Sequence, residues 1–166
     1  MAAADALLCA RVPGTHWFHE GDGEVLARRL VTAWRGTFHA LTPGSKALYH
    51  AGAAILSNHT VALFATATQL FAAAGIGPDE AREPLATLLS GTSENLAAMG
   101  SPAALTGPIA RGDGETVALH MAALRDAAPE LLASYVSVAR VAIDVAFAKG
   151  SIDAADAERL RTVLTL

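Results

Sequence analysis

The spacing of apolar and polar residues changes near Pro43-Gly44, from short runs with turn residues to long helical periods. Before this point the pattern predicts a strand at residues 17–19 (WFH), a helix at 24–34 and a second strand at 37–41 (TFHAL). Gly21-Asp22-Gly23 supplies the turn between the first strand and the helix. A strand, a helix and a strand at this spacing form a βαβ unit, whose strands normally lie parallel.

This βαβ unit is too small to be a complete sheet. Parallel strands are normally buried on both faces of a larger sheet, and two strands alone are marginally stable. The pattern predicts no further strand in the sequence. We therefore expect that another chain completes the sheet, or that this polypeptide is the last part of a longer α/β protein.

After Gly44 the pattern is helical throughout. Helices are predicted at residues 45–74, 79–89, 92–99, 115–127, 129–149 and 154–164, with a turn-rich loop at 105–114. The predicted fold class is therefore mainly α, with residues 1–43 as a residual α/β piece and residues 44–166 as an all-helical domain.

The segment from Ala47 to Pro78 contains no Asp, Glu, Lys or Arg, so it was tested as a membrane span. Polar residues at 57–60 (SNHT) interrupt its middle, where they would lie near the centre of a bilayer. A helix that is apolar nearly all round also occurs when neighbouring helices cover every face in a soluble protein. We expect a buried central helix and no membrane partner.

Composition excludes several classes of protein. Of 166 residues, 52% are hydrophobic and 17% charged, a balance that excludes intrinsic disorder. The net charge of −4 and the absence of a basic stripe argue against a nucleic-acid partner. Cys9 is the only cysteine and the start lacks a signal-peptide pattern, so a reducing, cytoplasmic location is expected.

The most informative polar residues lie at the start of the predicted 45–74 helix. At 3.6 residues per turn, Ser57 falls roughly 20° and His50 roughly 40° from Lys46, with Asn58 at the margin and Tyr49 to the other side. Such a line suits a substrate carboxylate (Lys46), a proton (Lys46 or His50) and a carbonyl oxygen (Ser57, Asn58). Alternatively, these groups satisfy one another or the backbone inside a helical core.

The loop Thr106 to Gly114 (TGPIARGDG) is the second candidate. Arg111 between turn formers can bind a carboxylate or phosphate in bidentate fashion, with Asp113 beside it. The alternative is an Arg–Asp pair that only fixes a tight turn between helices. Cys9, His16, His19 and His39 lack a zinc spacing, and neither a complete Gly-x-Gly-x-x-Gly fingerprint nor a P-loop occurs, so we expect no metal and no self-contained nucleotide site.

The segment Tyr49-His50-Ala51 with Ser57-Asn58, and above all LTGPIARGD at residues 105–113 followed by His120, resembles a family of Rossmann-like oxidoreductases. In this family an N-terminal Rossmann-like domain precedes a helical domain catalogued as one of unknown function. The helical domain is similar to the C-terminal domains of 6-phosphogluconate dehydrogenase, ketopantoate reductase and pyrroline-5-carboxylate reductase. The resemblance covers residues 13–148.

The resemblance implies a helical domain that dimerises and roofs the active site, while the Rossmann domain holds NADP or NAD. Several relatives place a Lys at the start of the interdomain helix, which Lys46 matches, and an Asn three or four residues on, where this chain has Tyr49 and His50. The implied catalytic residues are Lys46, His50, Ser57 and Asn58. The implied substrate or cofactor contacts are Tyr49, Thr106, Arg111 and Asp113.

The resemblance also identifies the orphan βαβ unit as the last strand, helix and strand of a Rossmann-like domain, with the glycine-rich fingerprint upstream of Met1. The expected function is then the helical dimerisation and substrate-side domain of an NAD(P)-dependent oxidoreductase acting on a carbonyl or imine. The chain alone is expected to bind no cofactor and to be inactive. The alternative is a stand-alone, non-catalytic homodimeric interaction module.

Overall fold

A computed structural model describes residues 13–165, so Cys9 and the predicted start lie outside the described residues. The chain forms two compact units that divide after Val61. The sequence pattern placed a boundary at Pro43-Gly44 instead, and that division stays a prediction about domain origin. The helix that follows Gly44 belongs to the first compact unit because its start is bonded to a residue of the βαβ piece.

The first unit contains the predicted βαβ element. Its elements are β1 (His16–His19), α1 (Glu24–Ala33) and β2 (Thr37–Ala40). The strands are parallel, with His16 opposite Thr37 and Phe18 opposite His39, as the sequence predicted. Among the described residues this is a two-stranded sheet, so each strand has one edge without a partner.

Helix α1 covers one face of this sheet. Val31 is its buried residue, the Trp34 ring lies 5.0 Å from that of Trp17, and the Arg28 guanidinium sits 4.2 Å above the Phe38 ring. Cation–π and aromatic contacts of this kind each contribute roughly 0.5–1.5 kcal/mol. The contacts show that one face of the sheet is covered by the chain's own helix.

The start of helix α2 (Lys46–Leu56) is bonded to the side chain of Glu20, the residue that follows β1. The Glu20 side chain accepts hydrogen bonds from the backbone N–H groups of Gly44 and Lys46. These amides would otherwise be unpaired at the helix start, and a negative charge there is favoured by the helix dipole. Glu20 therefore fixes where α2 begins.

The prediction of one helix over residues 45–74 is wrong, because the helix is interrupted at Ser57 and continues as α3 (Asn58–Ala73). The Thr60 hydroxyl donates to the Leu56 carbonyl, and the next backbone bond, from Val61 N to Ser57 O, is long at 3.4 Å. A hydroxyl that donates to the carbonyl four residues earlier competes with the backbone hydrogen bonds of the helix, and such bonds bend helices.

The second unit contains the C-terminal part of α3 and all later elements. These are α4 (Pro78–Ala104), α5 (Gly107–Ala110), α6 (Gly114–Ala127), a 3₁₀ turn (Pro129–Leu131), α7 (Leu132–Lys149) and α8 (Ala154–Val163). The helices predicted at 115–127, 129–149 and 154–164 are confirmed to within a few residues. The loop predicted at 105–114 contains the short helix α5.

The two helices predicted at 79–89 and 92–99 are wrong, because α4 runs through both and is broken only at Gly100. The Thr92 hydroxyl bonds to the Leu88 carbonyl, and Ser90 bonds to Glu94 one turn on. These local bonds satisfy the polar side chains within a helix, so the cluster does not end it. Gly100 has a φ of 78°, which a glycine adopts without strain.

The core of the second unit lies between α6, α7 and α8. It is a cluster of ten buried residues: Val117, Met121, Val136, Ala139, Ile143, Ala146, Ile152, Ala157, Leu160 and Leu164. Four of them, Val136, Ala139, Ile143 and Ala146, lie at a helical spacing on α7, so one face of this helix is buried. The side chains of this cluster set the stability of the second unit.

The expectation of a buried central helix over 47–78 is wrong. Neither α2 nor α3 contains a buried residue, and Leu48 and Leu56 are 78% and 72% exposed. Among the described helices, residues Pro129–Lys149 alone are long and apolar enough to cross a membrane by length and composition. The predicted fold class, mainly α with a residual βαβ piece, is confirmed.

Candidate functional site

The first unit has a shallow groove of about 530 Å³ along α2. Its lining residues are Phe18, Tyr49, Gly52, Ala53, Leu56 and Ser57. The helix residues follow the spacing of one helical face, on which two small residues leave the backbone accessible. Two of the residues predicted from the sequence, Tyr49 and Ser57, therefore lie at the same groove.

Beside this groove a row of rings lies on the face of the sheet opposite α1. Tyr49 stacks on Phe18 with ring centroids 4.3 Å apart, and Phe18 stacks on His39 at 4.7 Å. His39 Nε2 lies 2.8 Å from His16 Nδ1, a hydrogen bond that requires one of the two nitrogens to carry a proton and the other to accept. Stacked rings and one hydrogen bond therefore connect Tyr49, at the groove, with the imidazoles of His39 and His16.

Sequence analysis missed the histidine pair because it examined His16 and His39 only for zinc spacing. A usable signal existed: residues 16 and 18 share one face of a strand, and parallel pairing brings that face beside residue 39. No group of three or more metal-ligating side chains is found among residues 13–165.

The other predicted residues of this unit lie on α2 or at its ends. Lys46 and His50 are exposed on successive turns, and Asn58 follows the break at Ser57. Within the described part of the chain the side chains of Lys46, His50, Ser57 and Asn58 make no hydrogen bond. They are not the internally satisfied polar core of the alternative interpretation, and the structure does not bond them to one another.

In the second unit, Asp113 is the N-cap of α6. Its carboxylate accepts hydrogen bonds from the Thr116 backbone N–H at 3.0 Å and from the Thr116 hydroxyl at 2.7 Å. These bonds, and then the charge of Arg111, hold the pKa of Asp113 below its ordinary value. Arg111 is 3.8 Å away and largely exposed, which leaves its guanidinium open to solvent. Thr106 is exposed where α5 begins.

The start of the loop that carries Arg111 is held by Lys149, the last residue of α7. The Lys149 ammonium donates hydrogen bonds to the carbonyl oxygens of Leu105 at 3.0 Å and Ala103 at 3.3 Å. A cation at these carbonyls satisfies acceptors that the end of α4 leaves unpaired. Lys149 and the Asp113 cap thus hold the loop that carries Arg111 at both ends.

Replacing Asp113 with alanine is expected to lower the thermal midpoint of the protein, because two hydrogen bonds at the start of α6 are lost. The difference in thermal midpoint between Asp113→Ala and the unmodified protein should depend on pH. A carboxyl with a lowered folded pKa stabilises fully above its unfolded pKa, and this contribution disappears as pH falls through the folded value. Thermal melts of Asp113→Ala and of the exposed control Asp126→Ala between pH 7 and pH 2 test this. Equal melts for the two variants at pH 7 would contradict it.

Neither helix start of the first unit fits the pyrophosphate of a dinucleotide. Such groups bind free amides at a helix start after glycines. The turn before α1 has two glycines with positive φ, Gly21 and Gly23, but it also carries Asp22 and Glu24, whose charges repel a phosphate. At the start of α2, the amides are already bonded to Glu20.

Comparison with known families gives one match. The sequence model of a family described as "Domain of unknown function (DUF2520)" matches residues 16–142. No curated protein and no solved structure matches the chain.

Proposed function

We propose that this chain, which belongs to the family described as Domain of unknown function (DUF2520), is the helical dimerisation and substrate-side part of an NAD(P)-dependent oxidoreductase. The observation that carries the proposal is the parallel two-strand sheet, in which each strand has one edge without a partner strand among residues 13–165. Parallel strands are normally interior strands of a larger α/β sheet, the kind of sheet on which Rossmann-like domains bind dinucleotides.

The exposure of aromatic residues in this sheet supports the proposal that a further domain packs on it. Phe18 is 42% exposed and Trp17 is 37% exposed, although both lie in a strand. In a doubly wound sheet both faces are covered by helices, whereas here α1 covers one face and Tyr49 of α2 covers Phe18 on the other only in part. We propose that a dinucleotide-binding domain, on the same or another polypeptide, adds strands to this sheet and holds the cofactor.

The proposed roles of the residues on α2 and at the break that follows it come from their chemistry. His50 and Lys46 exchange a proton with a carbonyl or imine substrate, since both are exposed and free of internal hydrogen bonds. Ser57 and Asn58 donate hydrogen bonds to the substrate oxygen or nitrogen, and Tyr49 provides an aromatic wall. NADP or NAD would supply the redox chemistry, and its binding site is assigned to the partner domain.

In the second unit, Arg111 is proposed to bind a carboxylate or phosphate group. Its guanidinium is 64% exposed, and the adjacent Asp113 carboxylate is engaged by Thr116. Thr106 and Asp113 shape the loop around it. Arg recognises carboxylate and phosphate through paired N–H groups, which an exposed side chain on a fixed loop can present.

A homodimer is proposed through the uncovered apolar surfaces of the helices. Leu88 and Met99 on α4 are 64% and 52% exposed, in addition to the exposed leucines of α2. Contiguous exposed apolar surface usually marks an interaction site. These surfaces equally favour a second candidate, a non-catalytic homodimeric interaction module, which needs no dinucleotide-binding domain.

The experiment that separates the two candidates is a cofactor titration on two preparations. The purified chain should bind neither NADPH nor NADH, as followed by the fluorescence of Trp17 and Trp34. The protein isolated from its native cells, with its mass measured and any co-purifying chain identified, should bind one of them. Micromolar binding by the purified chain alone would contradict the proposal. Failure of both preparations to bind would favour the interaction module.

Variants test the proposed roles in the preparation that binds cofactor. His50→Phe is expected to lower kcat for reduction of a reactive carbonyl or imine by about 100-fold or more, while cofactor affinity stays unchanged. His59→Phe is the matched control, because His59 is also exposed but lies on α3, after the break at Ser57. Equal kcat values for the two variants would remove the proton-transfer role of His50.

A further inference from the structure

The second unit contains an elongated apolar groove between α3 on one side and α6 and α7 on the other. It consists of two adjoining cavities of about 310 and 500 Å³, which share Leu70, Leu124 and Tyr135 as lining residues. Along α3 the groove extends from Leu63 to Ala74, roughly 16 Å of helix. Its size and mainly apolar walls are typical of small-molecule sites.

The larger cavity carries a hydrogen-bonded polar pair. His120 Nδ1 lies 2.9 Å from the Tyr135 hydroxyl oxygen, and the two rings meet edge to face at 87°. Burial raises the pKa of Tyr135, so its hydroxyl remains protonated at neutral pH and can donate to Nδ1. In that arrangement the other ring nitrogen, Nε2, carries the proton and is available as a donor.

The other polar side chains that line the groove, Thr66 and Ser134, lie in the smaller cavity and not beside His120. The Thr66 hydroxyl of α3 already donates to the Ala62 carbonyl at 3.0 Å. The walls next to His120 are the short side chains of Ala73, Ala123 and Ala127, which leave the cavity open. The groove therefore offers a long apolar surface with one oriented N–H donor in its larger cavity.

We propose that this groove binds a linear aliphatic carboxylate, with its chain along α3 and its oxygen accepting a hydrogen bond from His120 Nε2. Apolar walls favour the chain because burial of methylene groups is the main source of affinity in such a site. A carboxylate matches the donor, and a bond to a charged acceptor is stronger than one to a neutral acceptor. The Tyr135 hydroxyl orients the imidazole as a positioning residue.

The proposal is tested by calorimetric titration of sodium decanoate into the full chain. Saturable one-to-one binding is expected, with sodium butyrate at least tenfold weaker because it buries less apolar surface. His120→Phe should weaken decanoate binding about tenfold or more, a loss typical of one bond to a charged group. His59→Phe, an exposed histidine outside both cavities, should bind decanoate like the unmodified chain.

A second variant tests the groove independently of the imidazole. Ala73→Trp places a large side chain where the walls are small and should abolish decanoate binding, with far-UV circular dichroism confirming that the helices are retained. Absence of saturable binding to the unmodified chain would overturn the proposal, as would binding that neither variant alters. A dimer that Ala73→Trp dissociates, without decanoate binding, would show that a second copy occupies the groove and would also overturn it. None of these outcomes depends on a redox activity.

Discussion

Replacing Leu160 with alanine is expected to lower the free energy of unfolding by about 2–5 kcal/mol. Leu160 lies on α8 and is fully buried in the cluster that contains Val117, Met121 and Ile143. Truncation removes apolar contacts and leaves a cavity that helices fixed on three sides can fill only in part. Urea denaturation followed by far-UV circular dichroism measures the loss.

The matched control is Leu119→Ala on α6. Leu119 is 70% exposed, so the same chemical change should alter the free energy of unfolding by no more than about 0.5 kcal/mol. Equal effects of the two variants would mean that the cluster between α6, α7 and α8 does not determine stability. Because α7 also lines the apolar groove through Val138 and Tyr135, loss of this cluster should weaken decanoate binding as well.

The sequence predicted this part of the chain well because each helix has clear boundaries. Asp113 and Asp153 are N-caps whose carboxylates accept backbone bonds, and Gly150 ends α7 in the left-handed conformation. Apolar residues at helical spacing then fix which face is buried. Capping and periodicity agree here, and agreement between local signals makes sequence prediction reliable.

Prediction was poorer between residues 45 and 104 because those local signals conflict. Serine, threonine and glycine near residue 91 predicted a boundary between two helices, but the hydroxyls of Ser90 and Thr92 bond within the helix and α4 continues. At Ser57 the opposite occurred: the polar residues 57–60 were predicted to lie within one helix, but the helix is interrupted there. Side-chain bonds to the backbone decide both cases, and residue spacing does not reveal them.

The candidate sites show the same limit. Tyr49 and Ser57 were found from helical spacing because they lie on one element. The pairs His16–His39 and His120–Tyr135 join residues 23 and 15 positions apart, so they depend on tertiary pairing that local periodicity does not encode. The cap formed by Asp113 was predicted only as an Arg–Asp pair, because the acceptor role depends on where α6 begins.

Replacing Gly36 with valine is expected to disrupt the first unit, with a cost of about 1–3 kcal/mol or more. A Cβ atom at this position would lie 2.7 Å from Trp17 Cδ1 and 3.0 Å from the Thr15 carbonyl oxygen. One of these contacts is backbone, so the strand itself must move. Movement of β1 would separate Trp17 from Trp34, whose rings now lie 5.0 Å apart.

The two tryptophans make this effect measurable by itself, because both tryptophans of the sequence lie in the first unit. Gly36→Val should shift their fluorescence and weaken near-ultraviolet circular dichroism, while the far-ultraviolet helix signal changes little. Gly91→Ala is the control, since Gly91 has open space around it and lies within α4, where alanine should stabilise by roughly 0.5–1 kcal/mol without altering fluorescence. Unchanged fluorescence in Gly36→Val would mean that β1 tolerates the side chain. If fluorescence does shift, the same variant should lose cofactor binding in the natively isolated protein, because the proposed dinucleotide-binding domain extends this sheet.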